Sequence, residues 1–161
     1  NAPFGKDFYL QRIDNLRSLF SEPTPVPTAG HAGGRLIFFV GFPRSGTTLV
    51  ENILASFAAV RGLEEQPTLT AADWEFLRDD QAMDRLTRLD PVLAAEQRNE
   101  YWQRVRHQVP DVDGKVFVDM GPLYGIKLQV IARLFPDALL VRCRRDPRDA
   151  APPAPRCRTG G

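Results

Sequence analysis

The sequence predicts a three-layer α/β/α domain built on a parallel sheet, and three observations predict it. Three short apolar runs, at residues 35–40, 116–118 and 138–143, lack the polar alternation of a half-exposed strand. Each therefore reads as a strand covered on both faces. Stretches with helical periodicity lie between them, and strands alternating with helices build parallel sheets. A glycine-bounded turn joins the first run to the helix after it.

Taken in order, residues 6–20 place Phe8, Leu10, Ile13, Leu16, Leu19 and Phe20 near helical spacing and predict an amphipathic helix. Residues 21–34 hold Pro23, Pro25, Pro27, Gly30, Gly33 and Gly34 and predict a linker. After the first strand, Leu49, Val50, Ile53, Leu54 and Phe57 predict a helix over 47–58. A short helix follows over 71–79. Asp90 is placed to accept from the first amides of a helix and Pro91 suits its first position, so a helix starts there and runs to about His107. The second strand, 116–118, ends at Asp119. A helix over 124–135 is stopped by Pro136, and the third strand completes the pattern. The resulting division is an N-terminal helix and linker (1–34), a partial domain (35–149), and an irregular, aberrant tail (150–161) rich in proline. Ligands of parallel α/β sheets sit outside the carboxyl ends of the strands. Residues 41–48, 119–122 and 144–149 are therefore expected to converge.

Composition narrows the classes of function. The chain has 161 residues, 43% of them hydrophobic, which supports a buried core. A formal net charge of +1 offers no global attraction for nucleic acid or an anionic membrane, so local arginines must carry any anion binding. Two cysteines, Cys143 and Cys157, make no disulfide framework, and a reducing cytoplasm is the expected setting. No apolar run is long enough to span a bilayer, and no signal-peptide pattern opens the sequence. His31 and His107 have no second ligand at metal-binding spacing. Trp74 and Trp102 fall at helical positions and are expected to pack. Asn1 at the start and the break in composition after Asp149 read as signs of a piece of a longer protein.

The chemistry is concentrated in Gly41-Phe42-Pro43-Arg44-Ser45-Gly46-Thr47-Thr48, which follows a strand and opens a helix. Gly41 and Gly46 permit backbone angles that let successive N–H groups face one centre, and the helix adds its positive end. Ser45, Thr47 and Thr48 add hydroxyls. A nucleotide-triphosphate loop reads G-x-x-x-x-G-K-[ST]. Here the glycine spacing agrees, but Thr47 stands where the lysine belongs and the positive charge sits earlier, at Arg44. That pattern suits a single terminal phosphosulfate better than a triphosphate. The alternative is a glycine-rich turn with no ligand.

At these residues the chain resembles the sulfotransferase superfamily, most nearly bacterial sulfotransferases that carry tetratricopeptide repeats and more distantly protein-tyrosine sulfotransferases. The resemblance runs from about Lys6 to Asp149. It implies a P-loop NTPase-like fold and a PAPS-dependent sulfotransferase, with 3′-phosphoadenosine-5′-phosphosulfate (PAPS) as co-substrate and no metal. The implied acceptor is a hydroxyl of a protein, sugar or small molecule. Neither nucleic acid nor a membrane span enters the expected set of partners. Arg44, Ser45, Gly46, Thr47 and Thr48 would bind the 5′-phosphosulfate. Within 61–67, Glu65 matches the general base of tyrosine sulfotransferases, whereas Glu64 reads as a solvated neighbour. Arg145 matches the arginine that holds the 3′-phosphate, a role suited to a bidentate guanidinium; Arg148 is a weaker candidate.

Three departures from the family pattern stand out. Asp119-Met120-Gly121-Pro122 replaces Asp-Lys-x-Pro, putting Met120 where a lysine would neutralise the leaving oxygen. Pro153 replaces a serine of the 3′-phosphate segment. The later half of the domain, which would close over the adenine, has no counterpart in the sequence. Two other readings stay open: a P-loop kinase or nucleotide-binding protein with Asp119 holding Mg²⁺, and an inactive fragment or interaction module.

Overall fold

β1 (Leu36–Gly41) forms the spine of the sheet, because it is flanked on both sides and five of its six residues are buried. In the computed structural model, which describes residues 35–41, 45–121, 124–144 and 146, the strand order is β2-β3-β1-β4. Every pairing is parallel: β1 with β3 (Val116–Gly121), β1 with β4 (Leu139–Cys143), and β3 with β2 (Val60–Glu64). The predicted helix over 6–20, the linker over 21–34 and the tail over 150–161 lie outside the described residues.

Strand alternation divides the core between two faces. Phe38, Val40 and Phe117 point to one side, where α2 (Thr70–Phe76), α3 (Asp80–Thr87), α4 (Pro91–Gln108) and α5 (Leu128–Leu134) cover them. There Phe38, Tyr101 and Phe135 meet with ring centroids 4.7–5.9 Å apart. Phe39, Val118 and Met120 point to the other side, under Val50 and Leu54 of α1 (Thr47–Ala55). The three-layer α/β/α architecture predicted from the apolar runs is the one observed.

The boundaries differ from the sequence expectations in places that have physical reasons. β2 has no counterpart among the predicted strands. It is an edge strand with every residue half-buried, and Arg61 and Gly62 interrupt its apolar character. The Arg61 guanidinium grips Asp111 in a fork (2.6 and 2.9 Å), and Lys115 adds a contact of 2.7 Å to the same carboxylate. This ties the start of β2 to the connection before β3. The helix expected over 71–79 stops at Phe76, and α3 begins afresh because the Asp79 carboxylate accepts from the Ala82 amide at 2.7 Å. Asp90 accepts from Val92 and Leu93, as its sequence position implies. β3 continues past Asp119 to Gly121, and a 3₁₀ turn (Tyr124–Lys127) leads into α5. Trp102 packs on Phe117. Trp74, expected to pack, is 67% exposed, with the Arg78 guanidinium 5.3 Å from its ring.

Candidate functional site

All four strands end on the same side, since all are parallel, with Gly41 level with Cys143, Val40 with Gly121 and Glu64 with Met120. This brings the turn after β1, the end of β3 and the end of β4 to one edge, as expected, and adds the end of β2. Among the predicted site residues, Ser45, Gly46, Thr47, Thr48 and Glu65 lie along this edge; Arg44 and Arg145 fall outside the described residues.

The turn has the local features an anion requires. Gly46 adopts φ 90°, ψ 16° and caps α1 from the left-handed region, which glycine enters without steric penalty. No side chain caps the first turn of α1, so its amide donors and positive end are left for a ligand. Ser45 is buried, and its Oγ finds no hydrogen-bond partner among the described residues. A buried hydroxyl without a partner is an uncommon state that a ligand oxygen resolves. Gly41 is required for a different reason. A methyl group there would lie 2.5 Å from Thr47 Cγ2 and 2.7 Å from Ser45 Oγ, so the turn folds back directly over it. The Cys143 thiol donates to the Ser45 carbonyl at 3.1 Å and anchors the turn to β4.

Two carboxylates arrive from the end of β2 and are differently placed. The Thr48 hydroxyl donates to Glu64 Oε1 at 2.9 Å, so Glu64 is joined to α1 rather than simply solvated. Burial, a side-chain hydrogen bond with Glu64 and the charge of Glu64 raise the Glu51 carboxyl above its ordinary range. Glu65 lies just beyond the strand, exposed. Its φ of 54° is the one positive value at a non-glycine residue among those described. Its amide donates to the Met120 carbonyl at 2.8 Å, which pins this backbone. Left-handed backbone in an L-residue is disfavoured by about 1–2 kcal/mol and concentrates at functional sites.

Asp119 is fully buried and receives the Thr68 and Tyr101 hydroxyls on Oδ2 and the Tyr124 hydroxyl on Oδ1, at 2.7, 2.8 and 2.7 Å. Burial raises this carboxyl above its ordinary range, and the three hydroxyl bonds work in the opposite direction. Burial also pushes the Tyr101 and Tyr124 phenols up, which keeps them as donors. A magnesium ligand needs an accessible carboxylate, so Asp119 acts instead as the hub of a polar network inside the core. Sequence reasoning saw Asp119 but not its partners, which come from the connection before α2, from α4 and from the 3₁₀ turn. Gly121 lets that network close: a methyl group there would stand 2.6 Å from the Tyr124 ring.

Met120 is 2% exposed and packs with Phe39 and Val118 beneath α1, so its side chain belongs to the core. Neither nearby lysine stands in for the expected one. Lys115 pairs with Asp111 at the amino end of β3, and Lys127 pairs with Asp73 at 2.6 Å. Among the described residues, no group of three or more His, Cys, Asp or Glu side chains could hold a metal ion, and no helix is long and apolar enough to cross a membrane.

A parallel α/β sheet whose first strand is followed by a left-handed glycine and an uncapped helix is consistent with a phosphate-loop type of architecture. Residues 36–157 match the sequence model described as Sulfotransferase family. The chain belongs to that family. A search of curated proteins finds no match.

Proposed function

We propose that the chain binds PAPS at the turn after β1 and moves its sulfuryl group to an acceptor hydroxyl, with Glu65 as the general base. The observation that carries this reading is the buried Ser45 Oγ, without a hydrogen-bond partner among the described residues, beside the uncapped first turn of α1. Together they offer hydroxyl and amide donors to the terminal oxygens of a phosphosulfate. Thr47 and Arg44 complete the loop, and Thr48 positions it through Glu64. Arg145 would hold the 3′-phosphate as a bidentate partner. PAPS supplies an activated S–O bond. As the acceptor oxygen bonds to sulfur, the bridging S–O bond breaks, adenosine 3′,5′-bisphosphate departs, and the acceptor proton passes to the Glu65 carboxylate. The exposed position of Glu65 leaves it open to an incoming hydroxyl, and its amide bond to the Met120 carbonyl fixes the backbone that carries it. The acceptor is a protein, sugar or small-molecule hydroxyl, and the compartment is the cytoplasm.

Calorimetry tests the donor. Adenosine 3′,5′-bisphosphate is expected to bind without a metal, and tighter than ATP with Mg²⁺. The reverse order would replace this reading by that of a nucleotide kinase, and no binding of either by the folded chain would mark an inactive fragment. Sulfuryl transfer to a panel of hydroxyl acceptors tests the base. Glu65→Gln is expected to lower kcat by roughly 10²–10⁴-fold while donor binding holds, the range for loss of a general base. Glu64→Gln is expected to raise the donor KM with a smaller effect on kcat, because it acts through Thr48. If Glu64→Gln instead abolishes kcat and Glu65→Gln does not, the two roles are exchanged.

A further inference from the structure

A hydroxyl and two carboxyl groups meet where α1 lies over β2. Thr48 and Glu51 are three residues apart and share one face of α1. Gly62 and Glu64 are two residues apart and share one face of β2. The Glu51 side chain crosses Gly62, where a methyl group would stand 3.9 Å from its Cγ and Oε1. Glu51 hydrogen-bonds Glu64, and Glu64 Oε1 accepts from the Thr48 hydroxyl at 2.9 Å. An ionised carboxylate only accepts, so a bond between two carboxyl groups requires one proton between them.

We propose that Glu51 is a positioning residue of the turn after β1: the proton it shares with Glu64 steadies the acceptor that holds Thr48 and keeps the pair at one negative charge, not two, beside the bound donor. This rests on the reading of that turn as the donor site. The ligand side is marked independently by the buried Ser45 Oγ, three positions before Thr48 and without a hydrogen-bond partner among the described residues. Among the described residues of the elements packed here, no cation offsets a second charge. Glu51 is the one charged residue of α1, Arg61 of β2 turns to Asp111, and β3 presents Val118 and Met120 to this side. Glu65, just beyond β2, is a further carboxylate, and Asp119 is bonded on the opposite face. Two ionised carboxylates would repel each other and an anionic ligand alike. Burial, the bond to Glu64 and the charge of Glu64 all raise the Glu51 carboxyl above its ordinary range, so the proton stays to higher pH. Once pH rises through the raised value the pair carries two charges, and donor binding weakens.

Glu51→Gln keeps a donor to Glu64 and fixes the pair at one charge, whereas Glu51→Ala removes the donor. Infrared spectra of the ligand-free chain, wild type minus Glu51→Gln, separate the Glu51 carboxyl from that of Asp119. They are expected to show a protonated carboxyl that survives above about pH 4.3, the ordinary value for glutamate. The Thr48 methyl carbon shift is expected to follow the same titration in the wild type, to hold its low-pH position in Glu51→Gln, and to leave it at every pH in Glu51→Ala. A Glu51 carboxyl that titrates at the ordinary value, or a Thr48 signal alike in the two variants, overturns the proposal. Calorimetry with adenosine 3′,5′-bisphosphate reads the charge. The ratio of the wild-type Kd to that of Glu51→Gln cancels the ligand's own titration. It is expected to rise about five-fold across the Glu51 titration, the scale of one unit charge near a protein surface. A constant ratio overturns the proposal. A folded chain that binds no bisphosphate, while the infrared and Thr48 signals titrate together, overturns the donor reading instead and supports the shared proton and its hold on Thr48.

Discussion

Glu65 is the residue where conformation and chemistry conflict most openly. Its φ of 54° suits glycine, yet a carboxylate stands there. Glu65→Gly is expected to raise stability by about 1 kcal/mol in denaturant titration, by removing the left-handed penalty, while sulfuryl transfer is lost. A destabilised variant would show that the Glu65 side chain makes compensating contacts. Asp119 makes a second prediction at this scale. Its native carboxyl is raised above the ordinary value, chiefly by burial. The native state therefore keeps that proton to higher pH than the unfolded chain does. Its contribution is full below about pH 4 and declines as pH rises through the raised native value. Asp119→Asn removes this titration, so the stability of the wild type minus that of the variant is expected to fall as pH rises above about 4. A difference that stays flat across that range would mean the carboxyl titrates as it does when unfolded.

At the scale of elements, two helix starts are set by side chains that meet the first amides, whereas α1, like α2 and α5, has no such cap. Asp79 and Asp90 serve α3 and α4 in this way, each accepting from the first turn. Asp90→Ala is expected to lower stability by about 1 kcal/mol, the usual effect of removing such a cap. Thermal unfolding followed by helical circular dichroism would register it, and an unchanged midpoint would show that packing of α4 alone sets its start. α1 instead leaves its amino end open, under a left-handed glycine and above a buried serine. The strands divide in a similar way: β1 and β3 are buried and uniform, whereas β2 and β4 are edges with polar or exposed residues.

For the molecule as a whole, the parallel sheet sends four chain segments to one edge, and a ligand bound there joins them. Adenosine 3′,5′-bisphosphate at a hundred times its Kd is expected to stabilise the fold by roughly 2.7 kcal/mol, since it binds only the native state. The thermal midpoint would rise with the logarithm of its concentration. A midpoint that does not move at saturating bisphosphate would place its binding outside the folded sheet.

The central strands, the Asp90 helix start and the start of α1 after Gly46 were legible from the sequence, because each is decided by near neighbours: apolar runs, a cap with proline after it, a glycine before a helical stretch. β2 was not legible, since an edge strand carries little burial and its Arg61 is explained only by Asp111, 50 residues away. The same holds for the Asp119 hub, whose donors Thr68 and Tyr101 lie 51 and 18 residues off. Local chemistry told where the connection between β1 and α1 lies and which elements surround it. Only tertiary structure decided that Met120 faces the core, that Glu64 grips Thr48 while Glu65 stands open, and that Asp119 is closed to solvent. Those outcomes depend on strand register and on which face each side chain meets, and both are settled by pairing between distant segments.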